Sequence, residues 1–234
     1  AMLTGLCVLQ MEDGNSDQIV KVIDSDIDSD ALDDILDGTY KGQDAWDENV
    51  RLYYFGNNED SDGAMKTGNV NINLDGSSYT FQFQKTGNAK SGRGMGVTDI
   101  DDNKYIYSYG CRIKADSDDK YQLVSVVNEE EGNSSVNINT TGVKVTKLDP
   151  VSLDKQYTNK DDEVVNYTVL TDASLRLVNV SGNIQKSKTG AKDGNDCYYY
   201  VNKKYVPQLY TDNKTLKSGK SSEKEVSDWT DLLK

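Results

Sequence analysis

With 234 residues, 39 acidic side chains against 26 basic ones and a formal net charge of −13, the chain offers no broad basic surface for nucleic acid or an anionic membrane. Its lack of histidine removes Ser/His and Cys/His nucleophile pairs, His-ligated zinc and the commonest general acid–base. Hydrophobic residues are only 35% while Tyr outnumbers Phe 15 to 3, which suits a thin, repeated stack with half-wet rings better than one large core.

Residues 1–48 read as an acidic N-terminal segment. LTGLCVLQMED predicts a strand that ends near Gly14-Asn15, with Gln18 to Ile23 as its hairpin partner. Ile27, Ala31, Leu32, Ile35 and Leu36 then recur at helical spacing, with Asp28 or Ser29 as N-cap and Gly38 as stop, so a short amphipathic helix is expected over Asp30 to Asp37. Counted as a calcium loop from Asp26, the same stretch has Ala31 where the sharp turn needs glycine, and the short Asp37 where a bidentate Glu belongs. The capped helix is the better reading, and no metal ligand is assigned.

From Arg51 the pattern changes. Tyr53-Tyr54-Phe55 leads through a polar loop to Asp62-Gly63 and then Ala64-Met65-Lys66-Thr67-Gly68, which predicts two short strands around an Asp/Gly turn. Partial copies begin at Gly76, Asn103, Leu175 and Asp196. The turn glycines Gly63, Gly87, Gly110 and Gly182 are spaced by 24, 23 and 72 residues, and the last interval is three times the first. Strand, turn and strand at a period in the low twenties predicts a solenoid of β-hairpins. Tyr79, Phe81 and Phe83 share one strand face, as do Tyr105, Tyr107 and Tyr109. The glycines of SGRGMGVT (Gly92, Gly94, Gly96) match no phosphate-loop spacing and read as a turn between hairpins.

YYFGNNEDSDGAMKTGN resembles the cell-wall-binding repeat, the choline- or glucan-binding hairpin of Gram-positive surface proteins. With spacers, the resemblance spans about Val50 to Val206 and is interrupted between Asp116 and Ser174. It implies hairpin repeats over 49–115 and 175–210. It also implies a secreted, wall-associated module that binds teichoic-acid choline or a surface glycan through aromatic cages between hairpins. Carried over by position, the cage candidates are Trp46, Tyr53, Tyr54, Phe55 and Met65 in the first copy and Tyr79, Phe81 and Phe83 in the second, with Tyr105, Tyr107 and Tyr199 as weaker ones. The chain departs from the family after Thr-Gly, where Asn69 and Asn88 stand in place of a Trp that forms one cage wall. The fold therefore carries over better than the ligand.

Between the repeats, 116–174 holds strand-like runs (YQLVSVVN, VNINT, VKVTKL, VVNYTVL) with polar spacers. They are expected as an inserted small antiparallel sheet, with drifted repeats as the alternative. The tail, 211–234, ends around Val226, Trp229 and Leu232 in a helical turn that would cap the stack. Cys7, Cys111 and Cys197 suggest no disulfide framework, and Cys111 and Cys197 are expected to pack as small apolar residues. No run of ~18 apolar residues predicts a membrane span. The expectation is an all-β, solenoid-like hairpin repeat with a short N-terminal helix. It has no catalytic residue and no cofactor, and self-association through the repeats is possible. The other functions consistent with the residues are a scaffold of degenerate repeats without ligand and an accessory region of a larger surface enzyme.

Overall fold

The computed structural model describes residues 2–12, 15–25, 27–45, 50–56, 63–86, 92–128, 143–214, 219–220 and 225–234. It is a β protein with one α-helix among the described residues and four open antiparallel sheets. The chain divides into two compact units, 1–113 with 126–146 and 114–125 with 147–234.

In the first unit, β1 (Gly5–Glu12) pairs antiparallel with β2 (Asn15–Asp24), as the expected hairpin requires; Gly14 of its turn lies outside the described residues. On its other side β1 pairs with β3 (Val50–Phe55), Cys7 opposite Tyr53 and Leu6 opposite Tyr54. The acidic N-terminal segment is thus part of the sheet that holds the aromatic run. Strand alternation divides that run: Tyr54 faces a core with Leu6, Val8, Leu32, Ile35, Phe81 and Phe83, and Tyr53 faces a second core with Cys7, Leu9, Met11 and Met95.

Helix α1 (Ser29–Asp37) buries Leu32 and Ile35. The Asp28 side chain accepts the Ala31 N–H at 2.8 Å, and Gly38, at φ 77°, ends the helix by donating to the Ile35 carbonyl. The five-stranded sheet runs β4 (Gly68–Leu74), β5 (Ser77–Phe83), β8 (Cys111–Arg112), β7 (Tyr105–Ser108), β6 (Asp99–Asp101). Its β4–β5 hairpin turns at Asp75-Gly76, and its β7–β8 hairpin at Tyr109-Gly110. The glycine run is a packing device. Gly96 donates to the Leu52 carbonyl and bridges Phe83, and a Cβ there would lie 2.3 Å from the Tyr109 carbonyl oxygen.

β9 (Tyr121–Asn128) lies between β10 (Val143–Leu148) and β13 (Leu175–Asn179); its second-unit part, Tyr121–Ser125, pairs with all of β13. The seven-stranded sheet has the order β14 (Lys188–Lys192), β15 (Tyr198–Val201), β16 (Pro207–Thr211), β12 (Val164–Val169), β11 (Lys155–Asn159), β17 (Gly219–Lys220), β18 (Glu225–Val226). A 3-10 turn over Trp229–Leu233 follows, and Trp229 and Leu232 pack with Tyr200 and Val226.

Two expectations change. Residues 116–174 do not form a sheet of their own: β9 pairs with β13 and β12 with β16, because these alternating strands need the apolar faces of 175–211 to cover them. Nor is a hairpin solenoid seen among the described residues. β3 pairs along its length with β1, and its forward contact is the antiparallel bridge from Phe55 to Met65 with the Lys66 N–H donated to the Tyr54 carbonyl; Asp62 of the expected turn lies outside the described residues. The turn expected at Gly87 and the strand expected at 136–140 lie outside the described residues.

Candidate ligand-binding site

The cage candidates sit on three strands of the first unit, and the fold sorts them by face. Tyr54, Phe81 and Phe83 converge in one core, with Tyr79 packed half-buried at its margin. Phe81 and Phe83 stack with centroids 5.6 Å apart and planes 6° from parallel, and Phe83 continues the stack to Tyr54 at 6.3 Å and 14°. Such pairs add about 0.5–1.5 kcal/mol each beyond the burial of their area. Tyr53 belongs to the second core, 1% exposed, with Phe55 and Met65 packed against it. Met65 lies across Gly94, where a Cβ would meet its sulfur at 2.2 Å. Trp46 lies outside the described residues. The first copy of the motif is therefore divided between two cores, and its rings fill those cores instead of lining a cleft. Burial also raises the hydroxyl pKa of Tyr54 and of Tyr79.

The weaker candidates follow the same logic. Tyr107 is buried, and its hydroxyl accepts a hydrogen bond from the Arg112 guanidinium at 3.2 Å. The half-exposed face of Tyr105 carries that guanidinium 3.7 Å from the ring centre, with the Lys104 ammonium at 5.0 Å. Tyr199 is buried against Tyr210 at 4.5 Å. Tyr205, outside the candidate set, carries the Lys186 ammonium 4.7 Å from its ring centre. Among the described candidates, Tyr53, Tyr54, Phe81, Phe83, Tyr107 and Tyr199 are thus inside a core, Tyr105 lies beside cations of the chain itself, and Phe55 and Tyr79 are partly buried.

Sequence reasoning missed the feature that recurs most faithfully. In the second unit, Asn159, Asn179, Asp193 and Asn202 each open a five-residue turn of one design. The first side-chain oxygen accepts the backbone N–H groups two and four residues on: Asp161 and Glu163, Ser181 and Asn183, Asn195 and Cys197, Lys204 and Val206, all at 2.8–3.1 Å. The first residue's N–H donates to the fifth residue's carbonyl in each case. The fourth residue is left-handed every time: Asp162, Gly182, Asp196 and Tyr205, at φ 60–78°. A polar Asn or Asp five residues ahead of an apolar strand is the signal, but only one of the four turns marks its left-handed position with glycine.

Asp193 goes further. It is 4% exposed, and its second oxygen accepts the Tyr210 hydroxyl at 2.6 Å in the core. Burial foremost, and then this bond to a carboxylate, holds the Tyr210 proton far above the ordinary phenol range. Among the described residues, no cluster of three or more His, Cys, Asp or Glu side chains is placed to hold a metal ion. No described helix is long and apolar enough to cross a membrane.

Compared with known proteins, the chain matches no family model, no curated protein and no solved structure.

Proposed function

We propose that the chain is a non-catalytic module of the cell-wall-binding-repeat kind that attaches a secreted protein to the wall of a Gram-positive bacterium, with a surface glycan rather than choline as its ligand. The observation that carries this is the fourfold turn at Asn159, Asn179, Asp193 and Asn202, which supports descent of the second unit from a repeated hairpin. The same turns support the finer, solenoid-like reading as the ancestral arrangement, since those at Asn159, Asp193 and Asn202 each join two paired strands and that at Asn179 joins β13 to a bridge at Ile184. The burial of Tyr53, Tyr54, Phe81 and Phe83, and the cations beside Tyr105 and Tyr205, argue against a working choline cage. That internal occupancy also favours a second reading, a protein-interaction scaffold that has lost ligand binding.

The test is thermal unfolding with and without millimolar choline, beside a pull-down on purified Gram-positive walls. Retention on walls with an unchanged melting temperature is the expected result. A choline-dependent rise would overturn the loss of the cage, because a ligand that binds only the native state must stabilise it. Failure to bind walls would overturn the attachment role and leave the scaffold.

A further inference from the structure

An edge strand that meets only water is usually protected by charged side chains, lysine above all, and asparagine is depleted in strands. The outer face of the β4–β5 hairpin departs from both rules. β4 ends its sheet, and its side chains alternate: Val70, Ile72 and Leu74 pack on the core of Phe81 and Phe83, while Asn69, Asn71 and Asn73 lie on the other face and are exposed. β5 continues the pattern, with Gln82 opposite Asn69, Thr80 opposite Asn71 and Ser78 opposite Asn73. In a chain that is 28% charged, these six neighbouring positions carry no charge.

The fold uses few of these polar groups. The Thr80 hydroxyl donates to the Asn71 side-chain oxygen at 3.1 Å, and that of Asn73 accepts the Gly76 N–H at 3.0 Å. Among the described residues the Asn69 and Gln82 amides make no side-chain hydrogen bond, although they stand directly opposite each other. Next to β5, the face reaches Arg112 of β8. Its neighbour Cys111 pairs with Phe81 and lies in the core, so Arg112 is on the side of Thr80 and Gln82. Its guanidinium rests 3.7 Å from the centre of the Tyr105 ring and donates to the Tyr107 hydroxyl, with no carboxylate partner among the described residues. Tyr107 is 1% exposed, so the open part of the face ends at Arg112.

We infer that this face, Asn69, Asn71, Asn73, Thr80 and Gln82 with Arg112 at its border, is a glycan-binding platform for an uncharged polysaccharide. It would supply the glycan contact of the proposed wall attachment, and it rests on that reading. Amides and hydroxyls both donate and accept, as sugar hydroxyls do, whereas a phosphate-rich polymer calls for several donor-only cations. The platform has one cation, and the net charge of −13 opposes a polyanion. At ~3.4 Å per residue, Asn69 and Asn73 stand about 14 Å apart, a length that suits a chain of sugars better than a single one.

Two assays on the whole chain test it: the wall pull-down, and native gels cast with dextran, mannan or laminarin in turn, in which a bound protein is retarded. The double variant Asn69→Ala with Gln82→Ala removes two amides that hold nothing in the fold, so its urea midpoint should equal that of the wild type. Retardation of the wild type by at least one polymer is expected, with binding roughly tenfold weaker in the double variant, there and on walls. If the double variant binds walls and polysaccharide as tightly as the wild type, the platform is overturned while wall attachment stands. If walls retain neither protein but a polysaccharide gel separates them, the platform stands and the wall reading falls. Retardation in none of the gels overturns the platform, and so does wall binding that soluble teichoic acid competes away and no uncharged polymer does.

Discussion

Replacing Asp193 with alanine removes three hydrogen bonds at once: those from the Asn195 and Cys197 backbone N–H groups, both 2.9 Å, and that from the Tyr210 hydroxyl at 2.6 Å. It also leaves the Tyr210 hydroxyl, in a core shared with Leu123, Leu177 and Val201, with only the weak Cys197 thiol beside it. Bonds to a charged acceptor contribute about 1.5–3 kcal/mol each, but three on one side chain do not add fully, so the loss is put at about 3–5 kcal/mol. Two companions apportion it. Tyr210→Phe removes one of the three bonds and is expected to cost about 1.5–3 kcal/mol. Asn202→Ala opens a turn of the same design that lacks the buried third bond, and is expected to cost about 1–2 kcal/mol. Urea unfolding followed by circular dichroism and by tyrosine and tryptophan fluorescence gives the ranking. If Asp193→Ala costs no more than Asn202→Ala, the buried Asp193–Tyr210 bond contributes nothing and the reasoning fails.

Two more expectations come from the same unit. Tyr200 has its hydroxyl pKa pushed from 10.0 to about 12, chiefly by burial, and Tyr199 and Tyr210 are shifted in the same direction for the same leading reason. These groups are held neutral in the folded state, so their contribution is complete below pH ~10 and is lost as pH climbs through the folded values. Phenolate absorbance should therefore rise in at least two stages, the later one coinciding with loss of the β signal in circular dichroism; a single step near pH 10 with the fold intact would count against this. Gly194→Ala would place a Cβ 2.0 Å from the Asp118 carbonyl oxygen, a backbone atom that cannot swing aside as a side chain can. A loss of about 2–3 kcal/mol in urea unfolding is expected, and an unchanged midpoint would show that the Asp118 loop yields freely.

Local elements were the legible part of this chain. Turn chemistry at Gly110, the capped helix behind Asp28, and the strands at Tyr121–Asn128 and Leu175–Asn179 all lie within a few residues of the groups that cause them. Partner choice was not legible. Tyr53-Tyr54-Phe55 has the composition of a hairpin strand whether it pairs forward or back, and only the aliphatic complement in Leu6–Leu9 decides for β1. The described cage candidates fall into cores for a related reason. An alternating aromatic run has the same sequence whether its rings enclose a ligand or each other, and here Phe81, Phe83 and Tyr54 enclose each other. The second-unit turns escaped notice because their defining atom is a side-chain oxygen on Asn or Asp, residues common in any loop, and because Asp162, Asp196 and Tyr205 occupy the left-handed position where glycine would have drawn attention.

Those turns have a consequence for how such a chain can change. Each one is sealed by its own first residue, over five positions, whatever further bonds some of them make, as Asp193 does to Tyr210. A unit closed in this way is portable: it can be duplicated, shortened or moved along the chain, and still bring its two strands together before anything else has folded. Strand residues are then at liberty to change what their side chains pack against, while the punctuation between the strands stays the same.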